Sequence, residues 1–455
     1  MMNSYVYLSL MSFGVSSQGK RLHSPEQPIQ ILRFHRKRKL QTRVSLLFSK
    51  KATKNMGSGV SSPIKSTGIT FESLADLDAD AFLLARSTES QRLVFQTLFC
   101  GERGYQSAAT EQAKNAFAEV IRDNYISAKL DHVGYKSYHT FTHAVDVMLT
   151  THAIIFDTAY LAFTPAERTA LVTAALCHDV LHPGVNNLYF VNTKDPLADK
   201  YENVGGILER QSIDFTLPLI AKYGIVNPEA TQLYIDAIDW TDMSKHGKMM
   251  KDMEAFHPDF IKSLNEARKE KGVEEKDSGI DKQDCKAGVN LSNFLTKDQR
   301  SSFATLILHC ADVSNPVKKW EYCERWAVLV MLEFFGQGDF EKANGLPVSM
   351  NCDRESTKTP QCQIGFAMFV IKPLFTLLTK FLPVVGGKYL KQCDINMSKW
   401  NALKEAAEAS GTDYVLNVQP PTVAGGWLYG NHDDKKKGTE GLSVDAMNSG
   451  GGTSD

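Results

Sequence analysis

Between about residue 70 and about residue 425, apolar positions recur at the three-to-four spacing of amphipathic helices, and few alternating strand-like runs interrupt them. The clearest start signal is Thr164-Pro165-Ala166-Glu167, with an N-cap threonine, a proline at the first helical position and a glutamate placed for a capping box. That helix is predicted to run through Leu171, Ala174 and Ala175 to about His178, with His182-Pro183-Gly184 as its stop. A second helix is predicted from Phe303 to Asp312, ending before Asn315-Pro316, and a third from Tyr322 to Phe335, ending at Gly336-Gln337-Gly338. Residues 263–290 are charged and weakly apolar, which reads as a solvent-exposed loop. The richest apolar run, Ile364 to Val385, is broken by Lys372, Pro373, Lys380 and Pro383. It falls short of the uninterrupted ~18–20 residues of a membrane span and reads as a buried helix. The expected fold class is all-α, a compact multi-helix bundle domain over residues 75–425. A disordered basic segment (1–74) and a disordered Gly/Ser/Asp/Lys tail (426–455) are expected on either side.

A chain of 455 residues, 43% hydrophobic and 23% charged, has ample material for a sizeable core. Its 51 basic and 52 acidic residues nearly cancel, which excludes a whole-protein basic field and a nucleic-acid partner. The balance hides an asymmetry. Residues 1–56 hold eleven Lys/Arg against the single acid Glu26, a charge of +10, which leaves −11 for the remainder. Three readings of this head compete. One is an Arg-rich, acid-poor mitochondrial presequence; another is a basic tail on anionic lipid. The third is the string Met56-Gly57-Ser58-Gly59-Val60-Ser61, which matches the N-myristoylation signal and works only if translation starts at Met56. One acyl chain anchors marginally and needs a second signal. Eight cysteines are scattered without a C-x-x-C pair, suggesting reduced thiols in an intracellular compartment. The expected location is cytoplasmic, with peripheral membrane contact through lipidation or the basic segment.

Candidate chemistry concentrates in two histidine groups, His139-x3-His143 and His178-Asp179-x2-His182. On a helix, His139, His143, Asp146 and Val147 would share one face, although such spacing alone is usually an ordinary core or surface feature. His178-Asp179 follows the apolar run Ala174 to Cys177, where a buried carboxylate is costly unless compensated. A divalent metal compensates it: imidazole with carboxylate suits zinc, and carboxylate with water suits magnesium. Asp312 repeats the pattern at the end of Leu306 to Ala311, though taken singly it reads as a turn residue. Together, His143, His178, Asp179 and Asp312 suit a two-metal phosphate-hydrolysing site. In such a site one carboxylate bridges the ions, the bridged water ionises near neutral pH, and the other histidines handle protons.

Six segments in order then resemble the catalytic domain of class I 3′,5′-cyclic-nucleotide phosphodiesterases, members of the metal-dependent HD phosphohydrolase superfamily. They are Tyr138-His139-x3-His143-x2-Asp146-Val147; His178-Asp179-Val180-Leu181-His182-Pro183-Gly184-Val185-x-Asn187; Thr241 to His246; His309 to Pro316; Glu333-Phe334-Phe335-x-Gln337-Gly338-Asp339; and Gln363-Ile364-Gly365-Phe366. The resemblance implies that His143, His178, Asp179 and Asp312 hold a tighter, zinc-like ion. Asp179 then reaches a second ion, magnesium or manganese, through its other oxygen. It makes His139 the general acid that protonates the departing O3′, and it places His182, Glu209 and Thr241 around the water shell of the second metal. Gln363 would hydrogen-bond the purine edge, Phe366 and Val330 would clamp the ring, and Tyr138 and Asn315 would line the same pocket. Three residues apart, Gln363 and Phe366 face one pocket from one helix. The implied reaction is attack by hydroxide held between the two ions on the cyclic phosphate, giving a nucleoside 5′-monophosphate.

The chain departs from the family's pattern in places. Tyr-His-Asn reads Tyr138-His139-Thr140, His-Asp-Val-Asp-His reads His178-Asp179-Val180-Leu181-His182, and Glu-Asn-His-His is read as Glu209-Arg210-Gln211-Ser212 after a one-residue shift. None removes a direct metal ligand; they bear on Glu209 and on affinity for the second metal. Asn315 resembles the asparagine of cAMP-preferring members, so cAMP is favoured with dual cAMP/cGMP specificity next, against the plain alternative that Asn315 caps a turn before Pro316. Two further classes stand beside this reading. A nucleotidase of the HD type would lack the Gln363/Phe366 clamp, and an inactive scaffold would lack a metal ligand. A homodimer is the remaining partner considered.

Overall fold

A computed structural model describes residues 69–76, 78–85, 87–127, 136–202, 206–411 and 414. The expectations for the head up to residue 68, for Met56 and Gly57, and for the tail from 426 lie outside these residues, whereas residues 69–74, expected to be disordered, are ordered: Leu74 is buried, and Ile69 and Phe71 pack on the core. The described residues form helices and no strand, as the apolar spacing predicts. Twelve helices reach eight residues or more: α1 (Thr88–Phe99), α2 (Glu111–Ser127), α3 (Phe141–Asp157), α4 (Pro165–Cys177), α5 (Ile207–Tyr223), α6 (Thr231–Asp239), α7 (His246–Glu270), α8 (Lys297–Asp312), α9 (Trp320–Ala343), α10 (Thr359–Phe366), α11 (Lys372–Phe381) and α12 (Pro383–Ser410).

Three of them form the centre. α3 is buried without a break from Thr142 to Ile155, α4 from Thr169 to Cys177, and α8 from Phe303 to Ala311. A helix apolar on every side has no face to give to water and is driven to the middle of a bundle. α3 packs on α4 and α8, and α6 lies against both α4 and α8. The candidate metal ligands therefore sit on, or directly after, helices with long unbroken buried runs.

The start of α4 forms as predicted. Thr164 Oγ1 accepts from the Glu167 amide at 3.3 Å, and Glu167 Oε2 accepts from the Thr164 amide at 2.9 Å. The same carboxylate pairs with Arg300 Nε at 2.8 Å, fastening α4 to α8. α8 starts six residues before the predicted Phe303, because Thr296 and Gln299 form a second capping box.

Three expectations are corrected. First, α9 does not stop at Gly336-Gln337-Gly338 but continues to Ala343. A Cβ at Gly338 would lie 1.9 Å from the Cys352 carbonyl oxygen, so this glycine lets another segment lie directly on the helix. Second, residues 263–290 are only in part the exposed loop expected: 263–270 and 282–287 are helical, and 271–278 between them is mostly exposed. α7 extends to Glu270, and Arg268, fully buried, gathers the chain that follows. Its guanidinium donates to both Asp284 carboxylate oxygens at 2.8 Å and to the Gly279 carbonyl at 3.0 Å. Arg268→Ala is expected to lower unfolding stability by about 3–5 kcal/mol, since it strands the buried Asp284, and urea denaturation measures it. Third, His139 is not on the helix that carries His143. α3 begins at Phe141 behind an extended Thr140 (φ −106°, ψ 172°), because the amides of Ser137, Tyr138 and His139 are committed to a carboxylate elsewhere.

The apolar run around Ile364 is a buried helix. Residues Thr359–Phe381 are continuous through a wide π-type turn at Ala367–Ile371, and are long and apolar enough to cross a membrane by length and composition alone. Val370, Ile371, Leu374, Phe375, Leu378 and Phe381 are instead buried in the core, where α11 packs against α12.

Candidate metal centre

His143 lies in the first turn of α3, His178 caps the C-terminus of α4, Asp179 follows it, and Asp312 ends α8. Beyond His178 the chain reverses through Leu181, whose φ of +69° is a left-handed conformation costing a branched residue roughly 1 kcal/mol or more. The turn also carries His182 back beside the site. Both ligand imidazoles are almost fully buried, whereas the Asp179 and Asp312 side chains keep 15% and 18% of their exposure, so the site opens on its acidic side.

The four groups converge on one point. His143 Nε2 is 3.1 Å from Asp312 Oδ1 and 3.7 Å from Asp179 Oδ2. His178 Nε2 is 3.1 Å from Asp179 Oδ2 and 3.2 Å from Asp312 Oδ1. With metal–ligand bonds of about 2.0–2.1 Å, neighbouring donors around a four- or six-coordinate ion lie roughly 3.0–3.4 Å apart, close to this spacing. The tautomer agrees as well. His178 Nδ1–H donates to the Ala175 carbonyl at 2.8 Å, which leaves Nε2 to face the carboxylates. The carboxylates favour positive charge at that nitrogen. Burial opposes the charge, but Asp179 and Asp312 outweigh it and keep the His178 pKa well above its usual value. Burial likewise opposes ionisation of Asp312, yet the neighbouring His178 charge holds its pKa below the carboxylate range. An imidazole between two carboxylates marks a place built for positive charge, and the donor set fits a divalent ion.

A second group adjoins the first. His139 Nδ1–H donates to Glu333 Oε1, and its Nε2 lies 4.0 Å from Asp179 Oδ2. Glu333, only 3% exposed, accepts with Oε2 from the amides of Ser137, Tyr138 and His139 at 3.1, 2.8 and 3.3 Å. Burial works against the ion, but the His139 charge pulls the Glu333 pKa down to about 2. In return the Glu333 charge overcomes burial and raises the His139 pKa. The His182 ring stacks on His139 at 3.7 Å and 18°. Burial first, then the His139 charge, push His182 down to about 3, so it stays neutral.

Glu333 is the residue of this site that sequence reasoning left without a role. The signal was present as a lone acid inside the apolar run Val328-Leu329-Val330-Met331-Leu332-Glu333-Phe334-Phe335. The other expected groups are less tightly drawn in. Glu209, in the first turn of α5, accepts from Asn187 Nδ2 at 3.1 Å. Burial, then the adjacent Asp242 charge, raise its pKa to about 7. The Thr241 hydroxyl donates to the Ile238 carbonyl at 2.8 Å. The Tyr138 ring lies 4.5 Å from that of His143, and its hydroxyl accepts from the Asn315 amide, so these two residues meet each other. Val330 borders the Phe82, Tyr138 and Trp326 cluster on α9. Gln363 and Phe366 lie on α10, which packs on α9.

The sequence profile described as 3′5′-cyclic nucleotide phosphodiesterase matches residues 138–393, which hold every candidate site residue. The chain is 32% identical over 263 residues to the Drosophila melanogaster 3′,5′-cyclic-AMP phosphodiesterase, isoform F; the match covers 55% of this chain and 36% of that protein. Isoforms N/G of the same organism match at 32% over 24% of their length, so the chain spans about a third or less of these curated relatives. Among solved structures, the phosphodiesterase domain of the RhoPDE fusion protein from the choanoflagellate Salpingoeca rosetta is similar at a TM-score of 0.59. Its sequence identity is 26%, over 74% of this chain and 97% of that domain. A second structure of the Salpingoeca rosetta rhodopsin phosphodiesterase domain gives 0.58 at 25% identity.

Proposed function

The chain belongs to the 3′,5′-cyclic nucleotide phosphodiesterase family, and from that premise we propose that it hydrolyses 3′,5′-cyclic nucleotides, cAMP in preference, to nucleoside 5′-monophosphates. The observation that carries this reading is the placement of a buried donor set for a divalent ion directly beside an imidazolium held by a carboxylate. His143, His178, Asp179 and Asp312 would hold the tighter ion, for which zinc is the best match. Asp179, with His182, Glu209 and Thr241 around it, would face a second ion, magnesium or manganese. When bound, the ions supply positive charge to the phosphate and lower the pKa of water.

The rest falls to the chain's own side chains. His139 carries its proton on Nε2, because Nδ1–H is fixed on Glu333, and it faces the cleft beside Asp179. It donates that proton to O3′ as the ring opens, so the alkoxide never leaves as a free anion. The neutral His182 ring, stacked on His139, restricts the acid to one orientation. A purine would reach Gln363 and lie between Phe366 and Val330, the two apolar positions on adjoining helices α10 and α9. The preference for cAMP draws support from Asn315 and from the cyclic-AMP activity in the names of the Drosophila relatives.

The test is hydrolysis of cAMP and cGMP by the full chain, with products separated by chromatography. The expected result is 5′-AMP formation that exceeds 5′-GMP formation and ceases when a chelator strips the metal. Failure to open either ring with zinc and magnesium supplied would defeat the proposal. Release of phosphate from nucleoside monophosphates instead would favour the nucleotidase reading.

A further inference from the structure

The metal-facing halves of the site come from distant parts of the chain. His143 and Asp312 are 169 residues apart in sequence, and their side chains must keep a spacing of about 3 Å. Three buried side chains outside the donor set fix the second segment in place, two of them by joining it to the first. Asp146 follows His143 by three residues on α3, and Lys318 follows Asp312 by six. Lys318 Nζ lies 2.5 Å from Asp146 Oδ1, with the two side chains 2% and 3% exposed. Asn396 on α12, 1% exposed, donates from Nδ2 to the carbonyls of Pro316 at 2.9 Å and Lys318 at 2.7 Å. Gln392 in turn donates to Asn396 Oδ1 at 3.0 Å, which fixes the orientation of the amide. The turn from Asp312 to Lys318 is thus held to α3 by an ion pair and to α12 by two hydrogen bonds.

We propose that Asp146, Lys318 and Asn396 are positioning residues, a clasp that sets the distance between the His143 imidazole and the Asp312 carboxylate and so the metal affinity of the site. An ion pair sequestered from water gives a fold little that well-packed apolar side chains would not. What it adds is directionality: one ammonium reaches one carboxylate at a fixed length, whereas apolar contacts slide. Groups hydrogen-bonded directly to metal ligands act in this way, and their loss typically weakens metal affinity about 10- to 100-fold; the clasp acts one step further out, through the backbone that carries the ligands, so the lower end of that range is expected. The inference rests on the metal reading above, but it concerns affinity and does not depend on which reaction follows.

The test is zinc affinity of the full-length metal-free protein, titrated against a chromophoric chelator well below the melting temperature of each variant. The double variant Asp146→Leu/Lys318→Met removes both charges together, so it leaves no stranded ion and is expected to melt near the wild-type temperature. It should nonetheless bind zinc about tenfold more weakly. Asn396→Ser removes both donations without burying a charge, and it should weaken zinc binding in the same direction. It also serves as the measurement should the double variant not fold. Wild-type zinc affinity in a folded double variant, or in Asn396→Ser, would overturn the clasp. A wild-type chain that binds zinc yet opens no cyclic nucleotide would instead sink the proposed reaction and leave the clasp to be judged on affinity.

Discussion

His139→Asn is expected to lower turnover of cyclic nucleotide by about two to three orders of magnitude while the metal content of the purified protein is unchanged. His139 touches the donor set only at 4.0 Å, and its firm partner is Glu333, so its removal takes away a proton and not a ligand. Glu333→Gln separates the two sources of its effect. The amide keeps the shape and one acceptor but removes the charge that raises the His139 pKa. The acid works only while protonated, so activity falls as pH rises through the His139 pKa. Lowering that pKa moves the alkaline limb of the pH–rate profile toward lower pH. A Glu333→Gln enzyme with a slower rate but an unmoved alkaline limb would mean that Glu333 acts on shape alone. Wild-type turnover in His139→Asn would remove it as the proton donor.

Part of the candidate donor set is legible in sequence because three of its residues violate a strong rule. His178-Asp179 and Asp312 are ionisable groups set directly after runs that have no reason to end in charge unless something neutralises them. Glu333 breaks the same rule within α9, but its partner His139 lies 194 residues away, and a single acid in an amphipathic helix is unremarked without that partner. The same holds for Asp146 and Lys318, 172 residues apart, each an ordinary charged residue in its own stretch. Local signals served well where the cause was local, as at the Thr164/Glu167 capping box. They failed where a tertiary contact decided. Gly338 resembles a helix stop, yet it serves the approach of Cys352. Residues 263–290 carry the charge of a loop, yet two of those charges, Arg268 and Asp284, pair in the interior and hold the segment down. His139 sits at helical spacing from His143, yet the pull of Glu333 on three successive amides keeps it off the helix.

Asp312→Ala is expected to abolish both metal retention and turnover, the largest effect of any single change in the site. Asp312 Oδ1 faces both ligand imidazoles, at 3.1 and 3.2 Å, so its loss removes a ligand and also the negative charge that makes the cavity attractive to a cation. Proton release makes the loss measurable apart from activity. In the metal-free protein Asp179 and Asp312 raise the His178 pKa above the usual histidine value and so favour its protonated form. Zinc needs the neutral imidazole, so zinc binding should displace about one proton per site, read from the buffer dependence of the binding enthalpy. The sign for stability follows from the same shift. A raised folded-state pKa means the metal-free fold gains from His178 protonation fully below the unfolded value of about 6.5, and loses that gain as pH rises through the folded pKa. Without Asp312 one of the two charges is gone, the His178 pKa falls, and the alkaline loss of metal-free stability should begin at lower pH. Asp312→Ala protein that kept its zinc and its rate would show that the two imidazoles and Asp179 hold the ion by themselves, and the assignment of Asp312 would fail.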